Sequence, residues 1–292
     1  TENIPSYWKA KTRGAQYVHL STLNSYLATP DKRGIIDVME ICGGAGGVSK
    51  IAIRRRLRTG ENFDIITGGD LTNTSHVEQL MDYVNLHKPL VIVMAPPCTA
   101  MGGWAQINKV KFPETYAKQR KIGETIARVC AKAIEIQVAE GRHFLLENPR
   151  GSDLFQLSFM MKIWGTRQIH AVTFPQCALG LVGPTGIPML KWTTMWTTCE
   201  NLISAFQNLV CTCKQHQTIE GVQDGVVLSK HAQVWPTEMC KLIVAGICSL
   251  KYRARAATYN VYVADTKFAC PGCVGNRVST DPSHTRNQAP PR

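Results

Sequence analysis

The sequence has 292 residues, enough for one large domain or for a catalytic domain with a smaller lobe. Hydrophobic residues make up 44% and charged residues 18% of it, and no apolar run approaches the roughly 18 residues of a membrane-spanning helix, so we expect no membrane partner. The formal net charge of +12 favours a polyanionic partner, of which nucleic acid is the commonest.

The chain contains 11 cysteines, an odd number, and most lie inside apolar or motif-like segments. This usage is typical of free thiols in a reducing compartment. The first residues lack the basic-then-apolar pattern of a signal peptide. We therefore expect an intracellular protein, nuclear in a eukaryotic host.

Strand and helix patterns alternate through residue 150. Short apolar runs predict strands at 35–41, 63–67, 90–95 and 143–146. Apolar residues at helical spacing predict helices at 48–57, from a cap at Thr74 or Ser75, and at 114–140. The alternation predicts an α/β, Rossmann-like fold, with a mostly parallel sheet and helices on both faces.

Unusual turns follow the first, third and fourth predicted strands, after residues 41, 95 and 146. Ligands of such sheets bind at the carboxyl ends of the strands, so we expect the three turns to face one cleft.

The residue pattern changes after residue 180. Loops, two tryptophans and a cysteine-rich stretch follow there, before a predicted helix at 232–250. We therefore predict four parts: an N-terminal extension at 1–33, a catalytic domain at 34–180, a small C-terminal lobe at 181–265, and a disordered basic tail at 266–292.

The turn after the first strand is glycine-rich and runs from Glu40 to Gly47. Glycines there allow the backbone to approach a ligand and open a helix N-terminus towards it. The spacing matches neither a Walker phosphate loop nor a clean dinucleotide fingerprint. A strand ending in an acid before such a turn is also an S-adenosylmethionine (SAM) pattern, although a plain tight turn remains open. Asp70, placed after the second predicted strand, is a candidate for binding the nucleoside of a cofactor.

Two further motifs carry chemistry. Pro96 and Pro97 stiffen a strand end and present Cys98, which can attack an electron-poor ring carbon. Glu147, after the fourth strand, can hold a ring nitrogen beside that cysteine.

The ordered set resembles the DNA cytosine methyltransferases that modify ring carbon 5. It comprises Glu-x-Cys-Gly-Gly-x-Gly-Gly at 40–47, Pro-Pro-Cys at 96–98 and Glu-Asn-Pro at 147–149. Phe-Pro-Gln-Cys at 174–177 and Lys-Trp-Thr-Thr-Met-Trp-Thr at 191–197 are similar to segments of the short, phage-type branch. Similar sequences also occur in mobile-element polyproteins, and the resemblance covers about residues 35–250.

The resemblance implies SAM-dependent methyl transfer to a cytosine that is flipped out or unpaired, with Cys98 as nucleophile and Glu147 holding the ring. It implies that SAM is bound by residues of the glycine loop, by Asp70 and at the second turn: Glu40, Cys42, Gly43, Gly44, Gly46, Gly47, Asp70 and Pro96. It places the nucleic acid against residues that follow or precede the two catalytic side chains and against one residue further along the chain. These residues are Pro97, Thr99, Asn148, Pro149, Arg150 and Gln176.

The sequence departs from the family at Thr99 and Pro149, and it lacks the Arg-x-Arg pair near Gln176, for which Arg150 is a candidate substitute. Two alternatives therefore stay open: an RNA cytosine methyltransferase, and a silent DNA-binding module of a polyprotein. A zinc deaminase is disfavoured because no second cysteine follows Cys98 at the required spacing.

A structural zinc site is a further possibility, at Cys199, Cys211, Cys213 and His216. Cysteine and histidine are the usual ligands of structural zinc, although the two-residue spacer of a typical zinc knuckle is missing between Cys211 and Cys213.

Overall fold

The computed structural model describes residues 36–265, apart from Trp104 and Arg167. The chain divides into two compact units, Thr1–Arg253 and Ala254–Arg292, and the sheet and sites below belong to the first. The predicted extension at 1–33 and tail at 266–292 lie outside the described residues. Within these residues, no helix combines the length and apolarity needed to cross a membrane.

A six-stranded sheet forms the centre of the first unit, in the order β2-β1-β3-β4-β6-β5. The first four strands pair in parallel, whereas β6 runs antiparallel to both of its neighbours. The sheet is therefore mostly parallel, as predicted. The strands are β1 Val38–Ile41, β2 Thr59–Phe63, β3 Val91–Met94, β4 His143–Pro149, β5 His170–Pro175 and β6 Trp192–Thr197.

Helices cover both faces of this sheet. They are α1 Gly47–Arg54, α2 Thr74–His87, α3 Ala105–Lys111, α4 Pro113–Ala139, α5 Ser158–Thr166, α6 Leu228–His231 and α7 Thr237–Asp265. A short hairpin pairs β7 Val222–Gln223 with β8 Val226–Val227.

Successive side chains of the central strands enter different cores because strand side chains alternate between faces. In β3, Ile92 and Met94 pack with α2 and α4, whereas Val91 and Val93 pack with α1 and α7. Burial on both faces explains why these strands read as continuous apolar runs. The α/β, Rossmann-like prediction is confirmed.

The second strand differs from its prediction. It spans Thr59–Phe63, and the segment predicted as strand forms a 3₁₀ turn at Ile65–Thr67. Asp64 caps this turn by accepting a hydrogen bond from the Ile66 amide, while Thr67 Oγ1 accepts one from the Asp64 amide. The apolar, β-branched side chain of Ile65 is typical of a buried strand and led to the wrong prediction. In the structure Ile65 is 69% exposed.

The boundaries of two helices also differ from prediction. The N-cap of α2 is Asn73, which accepts a hydrogen bond from the Ser75 amide. Helix α7 begins at Thr237, directly after Pro236, and ends at Asp265 instead of near residue 250. Proline lacks an amide hydrogen and so marks the helix start.

Residues on both sides of the predicted boundary between 180 and 181 contribute to the sheet and to the core on its α1 and α7 face. Strand β6 follows it in sequence but lies between β4 and β5. Met239 and Ile243 of α7 pack in the same cluster as Val48 of α1. Residues after 180 therefore complete the sheet, and some of them also form a small buried cluster of their own, which contains Leu181, Met189, Leu228 and Ala232.

Candidate active site

A cavity of about 710 Å³ lies at the carboxyl ends of β1, β2, β3 and β4. The three unusual turns meet there, as the strand-end argument predicts. Most predicted site residues line it: Glu40, Cys42, Gly43, Gly44, Gly47, Asp70, Pro96, Pro97, Cys98, Thr99, Glu147, Asn148 and Pro149. Gly46, Arg150 and Gln176 are not among the lining residues.

The backbone of the glycine loop is held by hydrogen bonds to two side chains, one in β2 and one directly after that strand. Asn62 accepts a hydrogen bond from the Gly43 amide at 3.1 Å and donates one to the Gly44 carbonyl at 3.0 Å. Asp64 Oδ2 accepts from the Gly44 amide at 2.9 Å. Gly44 and Gly46 have φ angles of 52° and 66°, a region that side chains with a Cβ rarely adopt.

Glu40 supports this loop instead of presenting its charge openly to the cavity. It is 1% exposed, and its Oε1 accepts a hydrogen bond of 2.7 Å from the Ser49 amide in the first turn of α1. Burial raises the pKa of this carboxyl, and the hydrogen bonds from Ser49 oppose that effect. The carboxylate thus satisfies an otherwise unpaired amide at the helix start.

Two acidic residues follow β2. Asp64, which the sequence reading overlooked, is the acid at the strand end, because β2 ends at Phe63. Asp70 lies further along a loop, where its Oδ1 accepts hydrogen bonds from the Thr72 hydroxyl and amide. These bonds lower the pKa of Asp70, so it stays ionised at the cavity edge. Asp70 therefore lines the cavity, but not as the terminus of the second strand.

The loop after β3 is fastened to its neighbours around Cys98. The Cys98 carbonyl accepts hydrogen bonds from the Met101 and Gly102 amides. The Asn148 amide group donates to the Pro96 carbonyl at 2.9 Å, which ties this loop to β4. Asn148 lines the cavity and its side-chain nitrogen positions the cysteine loop, while substrate binding by this residue stays a prediction.

Glu147 terminates a chain of buried hydrogen bonds. Gln176 Nε2 donates to Thr193 Oγ1 at 2.7 Å, and Thr193 Oγ1 donates to Glu147 Oε1 at 3.0 Å. Gln176 was predicted to contact the nucleic acid, but it is completely buried and does not line the cavity. It contacts Glu147 only through Thr193. The chain holds the carboxylate in a single orientation.

Lys191 places a positive charge beside both predicted catalytic residues. Its Nζ lies 3.8 Å from Glu147 Oε1 and donates to the Ala232 carbonyl at 3.1 Å. Burial raises the pKa of the Cys98 thiol above its ordinary value of 9.0, the charge of Lys191 lowers it, and Glu147 raises it. Lys191 therefore favours the thiolate, which is the nucleophilic form of cysteine.

The segment before α7 supplies the remaining wall. Gln233, Val234 and Trp235 line the cavity, as does Cys240 of the helix itself. A Cβ on Gly47 would lie 2.8 Å from Cys240 Sγ, so this glycine allows α7 to pack against the start of α1. The only sequence signal for this wall is the aromatic residue and proline that precede the helix.

Arg150 lies outside the cavity, on the surface next to it. Its guanidinium carbon stacks 4.7 Å from the ring centroid of Trp192, and its amide donates to the Trp192 carbonyl. Stacking on an aromatic ring is a typical contact of arginine, whose guanidinium is planar and always charged. The positive charge that acts on Cys98 therefore belongs to Lys191 and not to Arg150.

A cysteine–histidine group lies outside the cavity. Ligand atoms of Cys177, Cys211, Cys213 and His216 all lie within 4.8 Å of one another. Cys199, predicted as the fourth member, is instead 7% exposed in the core on the α1 and α7 face of the sheet. Sequence proximity favoured Cys199, whereas the fold brings up Cys177 from the turn after β5.

No family model and no curated protein matches this chain. Among solved structures it is similar to the crystal structure of S. pombe Dnmt2 methyltransferase, with 10% sequence identity and a TM-score of 0.35. The similarity covers 63% of this chain and 57% of that chain. The activity of the present chain must therefore follow from its own residues.

Proposed function

We propose that this protein is a SAM-dependent methyltransferase that modifies carbon 5 of cytosine in DNA, with Cys98 as nucleophile. One observation carries the proposal: Cys98, Glu147, Lys191 and the glycine loop all line the same cavity. The order of the motifs in the sequence supports the same reaction.

The cavity fits SAM in size and chemistry. Its volume of about 710 Å³ lies within the range of cofactor pockets, about 300–1,000 Å³. A Cβ on Gly44 would meet no protein atom within 4 Å, so the loop leaves its surface bare. Ile65 and Ile66 offer apolar contact to an adenine ring, and Asp70 offers a carboxylate to the nucleoside. When bound, SAM supplies the methyl group.

Cys98 starts the reaction by adding to ring carbon 6 as a thiolate, which makes carbon 5 nucleophilic. Bound SAM would then supply its methyl group to carbon 5 and would keep the electron pair of the broken sulfur–carbon bond. Loss of the proton on carbon 5 to water allows the bond between Cys98 and carbon 6 to break. The thiolate is regenerated, and the product is 5-methylcytosine.

Glu147 orients the base during this sequence. Its carboxylate accepts hydrogen bonds from the exocyclic amine and from ring nitrogen 3 once that nitrogen is protonated. Thr193 occupies Oε1 from the protein side, so the orientation exists before substrate binds. The proton that Cys98 loses and the proton that nitrogen 3 gains balance in the addition step, and elimination reverses both.

The sequence lacks the Arg-x-Arg pair that the resemblance leads us to expect near Gln176. Lys191 supplies a positive charge to the site instead. It faces Glu147 and lowers the pKa of Cys98, so it stabilises both anions of the site. Among the described residues, Lys191 is the cation recorded beside the buried Glu147, and removing one partner of a buried ion pair is costly.

The substrate is expected to be a nucleic acid because the chain carries a net charge of +12. A cytosine inside a duplex cannot reach Cys98, so the base must be flipped or unpaired, at a cost of a few kcal/mol. Phosphate contacts by lysine and arginine offset that cost.

The test is transfer of radiolabelled methyl from SAM to duplex DNA, single-stranded DNA and RNA of matched cytosine content. We expect label on DNA and its loss by about a thousandfold or more in Cys98→Ala. SAM affinity should survive in the variant, because the glycine loop is unchanged. Cys248→Ala, a change at a half-buried thiol of α7, is the matched control and should keep activity.

The outcomes separate the alternatives. Label on RNA alone would replace DNA by RNA with the same site chemistry. Salt-sensitive DNA binding without any label would identify a silent binding module. Undiminished activity in Cys98→Ala would overturn the proposed nucleophile.

A further inference from the structure

The group of Cys177, Cys211, Cys213 and His216 has the composition of a structural zinc site. Three thiols and one imidazole form one of the common tetrahedral sets for structural zinc. The ligand atoms lie within 4.8 Å of one another, and Cys211 Sγ is 3.2 Å from His216 Nε2. In a tetrahedral zinc site, such atoms are about 3.5–3.8 Å apart, so shifts of about an ångström close the group around an ion.

The segment that carries three of these ligands is irregular and is held by a few contacts, among them a hydrogen bond from the Gln217 amide to the Pro188 carbonyl at 2.8 Å and packing of Ile219 near Met189. Among the described residues, no helix or strand lies between Phe206 and Val222. None of the side chains at 207–221 is fully buried. Long loops without secondary structure are uncommon in compact domains unless function or a cross-link keeps them ordered.

The fourth ligand joins this loop to the sheet. Cys177 is 7% exposed and belongs to the 3₁₀ turn Gln176–Leu179, directly after β5. An ion held by Cys177 and the loop would therefore attach residues 207–221 to a rigid part of the core.

We propose that Cys177, Cys211, Cys213 and His216 bind one zinc ion, which fastens the 207–221 loop to the end of β5. The site is independent of the proposed methyl transfer. It nevertheless adjoins the active site, because Gln176 precedes Cys177 and begins the hydrogen-bond chain through Thr193 to Glu147.

The first experiment measures zinc content of the purified full chain by mass spectrometry, after expression with added zinc. We expect about one zinc per chain. Cobalt substituted for zinc should give the intense near-ultraviolet thiolate-to-metal band and the visible bands of a tetrahedral site. Absence of zinc and of these bands in the folded chain would overturn the proposal.

Single substitutions then identify the ligands. Cys177→Ser and Cys211→Ser should reduce zinc content at least about tenfold under chelator competition, whereas Cys199→Ser should leave it unchanged. Cys199 is the matched control, because it is a buried cysteine close in sequence but outside the group. Loss of zinc in Cys199→Ser with retention in Cys177→Ser would contradict the assignment.

A conservative variant guards against simple misfolding. Cys211 is half-buried in the loop, and Cys211→His preserves a zinc-ligating side chain there. We expect this variant to bind zinc, unlike Cys211→Ser, and limited proteolysis to cut residues 207–221 faster only when zinc is absent. Equal cleavage with and without bound zinc would contradict the proposed role of the ion.

Discussion

Residues 36–150 and residues 151–253 contribute to the same cavity in different ways. The first region supplies the glycine loop, Cys98 and Glu147, each directly after or at the end of a parallel strand. The second supplies Lys191, directly before the antiparallel strand β6, and Trp235, just before α7, while Thr193 of β6 holds Glu147 from behind the cavity wall. The first set follows from the rule for strand ends, and the second depends on packing between distant segments.

The comparison shows that the second region adjusts chemistry that the first region carries. Thr193 orients Glu147, and Lys191 sets the charge next to Cys98. Disturbing the second region should therefore change rates and pH profiles while leaving the reaction type unchanged. Lys191→Met tests that expectation directly, whereas the changes at Gly47 and Arg150 test contacts between the two regions.

Lys191→Met is expected to give the largest effect on catalysis. Loss of the positive charge raises the pKa of Cys98, so the rise of kcat/KM with pH should move up by about one pH unit. The rate at neutral pH should fall about tenfold, since less thiolate is present. Initial-rate measurements from pH 6 to 10 check this.

Lys191→Arg is the matched control, because it keeps the charge, and it should restore most of the original pH profile. A reduced rate with an unshifted profile in Lys191→Met would show that Lys191 does not act on the thiol. Thr193 would then be the residue of the second region that still supports an influence on the catalytic side chains of the first.

Gly47→Ala tests the contact between α1 and α7. The added Cβ would meet Cys240 Sγ at 2.8 Å, so we expect a loss of about 1–3 kcal/mol in the free energy of unfolding. Cys240→Ala in the same chain should recover much of that loss, giving a clear coupling energy in urea unfolding.

Gly165→Ala provides the matched glycine substitution. Gly165 lies in α5, and a Cβ there would meet no atom within 4 Å, so alanine should be neutral or stabilise by up to about 1 kcal/mol. Additive effects of Gly47→Ala and Cys240→Ala would contradict direct contact between the two positions.

Arg150→Ala is expected to have the smallest effect. It removes an exposed guanidinium beside the cavity, so DNA affinity should fall about three- to tenfold and the salt slope by about one. SAM affinity should not change. Arg150→Lys separates charge from stacking on Trp192, and unchanged DNA affinity in both variants would remove this residue from the binding surface.

The sequence predicted the sheet edge well because the relevant signals are local. Residues 90–98 form an apolar strand followed by two prolines and a cysteine, and the structure has that order. The second strand was placed too late in the chain, since Ile65 and Ile66 suggested a strand but form an exposed turn capped by Asp64. Local apolar content does not reveal which side chains face water.

Other site features depend on long-range contacts that no local pattern encodes. The sequence favoured Cys199 as a zinc ligand by proximity, whereas the sheet buries Cys199 and brings Cys177 to the loop. The roles of Asn62 and Lys191 likewise depend on neighbours far away in the chain.

The sequence by itself determined the α/β alternation, the turns that meet at one sheet edge, and the residues Cys98 and Glu147 as candidates for catalysis. These follow from strand and helix periods and from backbone rules at proline and glycine, which act over a few residues. Only the tertiary structure decided that β6 lies between β4 and β5, that Lys191 stands beside Glu147, and that Cys177 completes the metal group. Those contacts depend on how two cores pack around one sheet, and packing joins residues regardless of their separation in sequence.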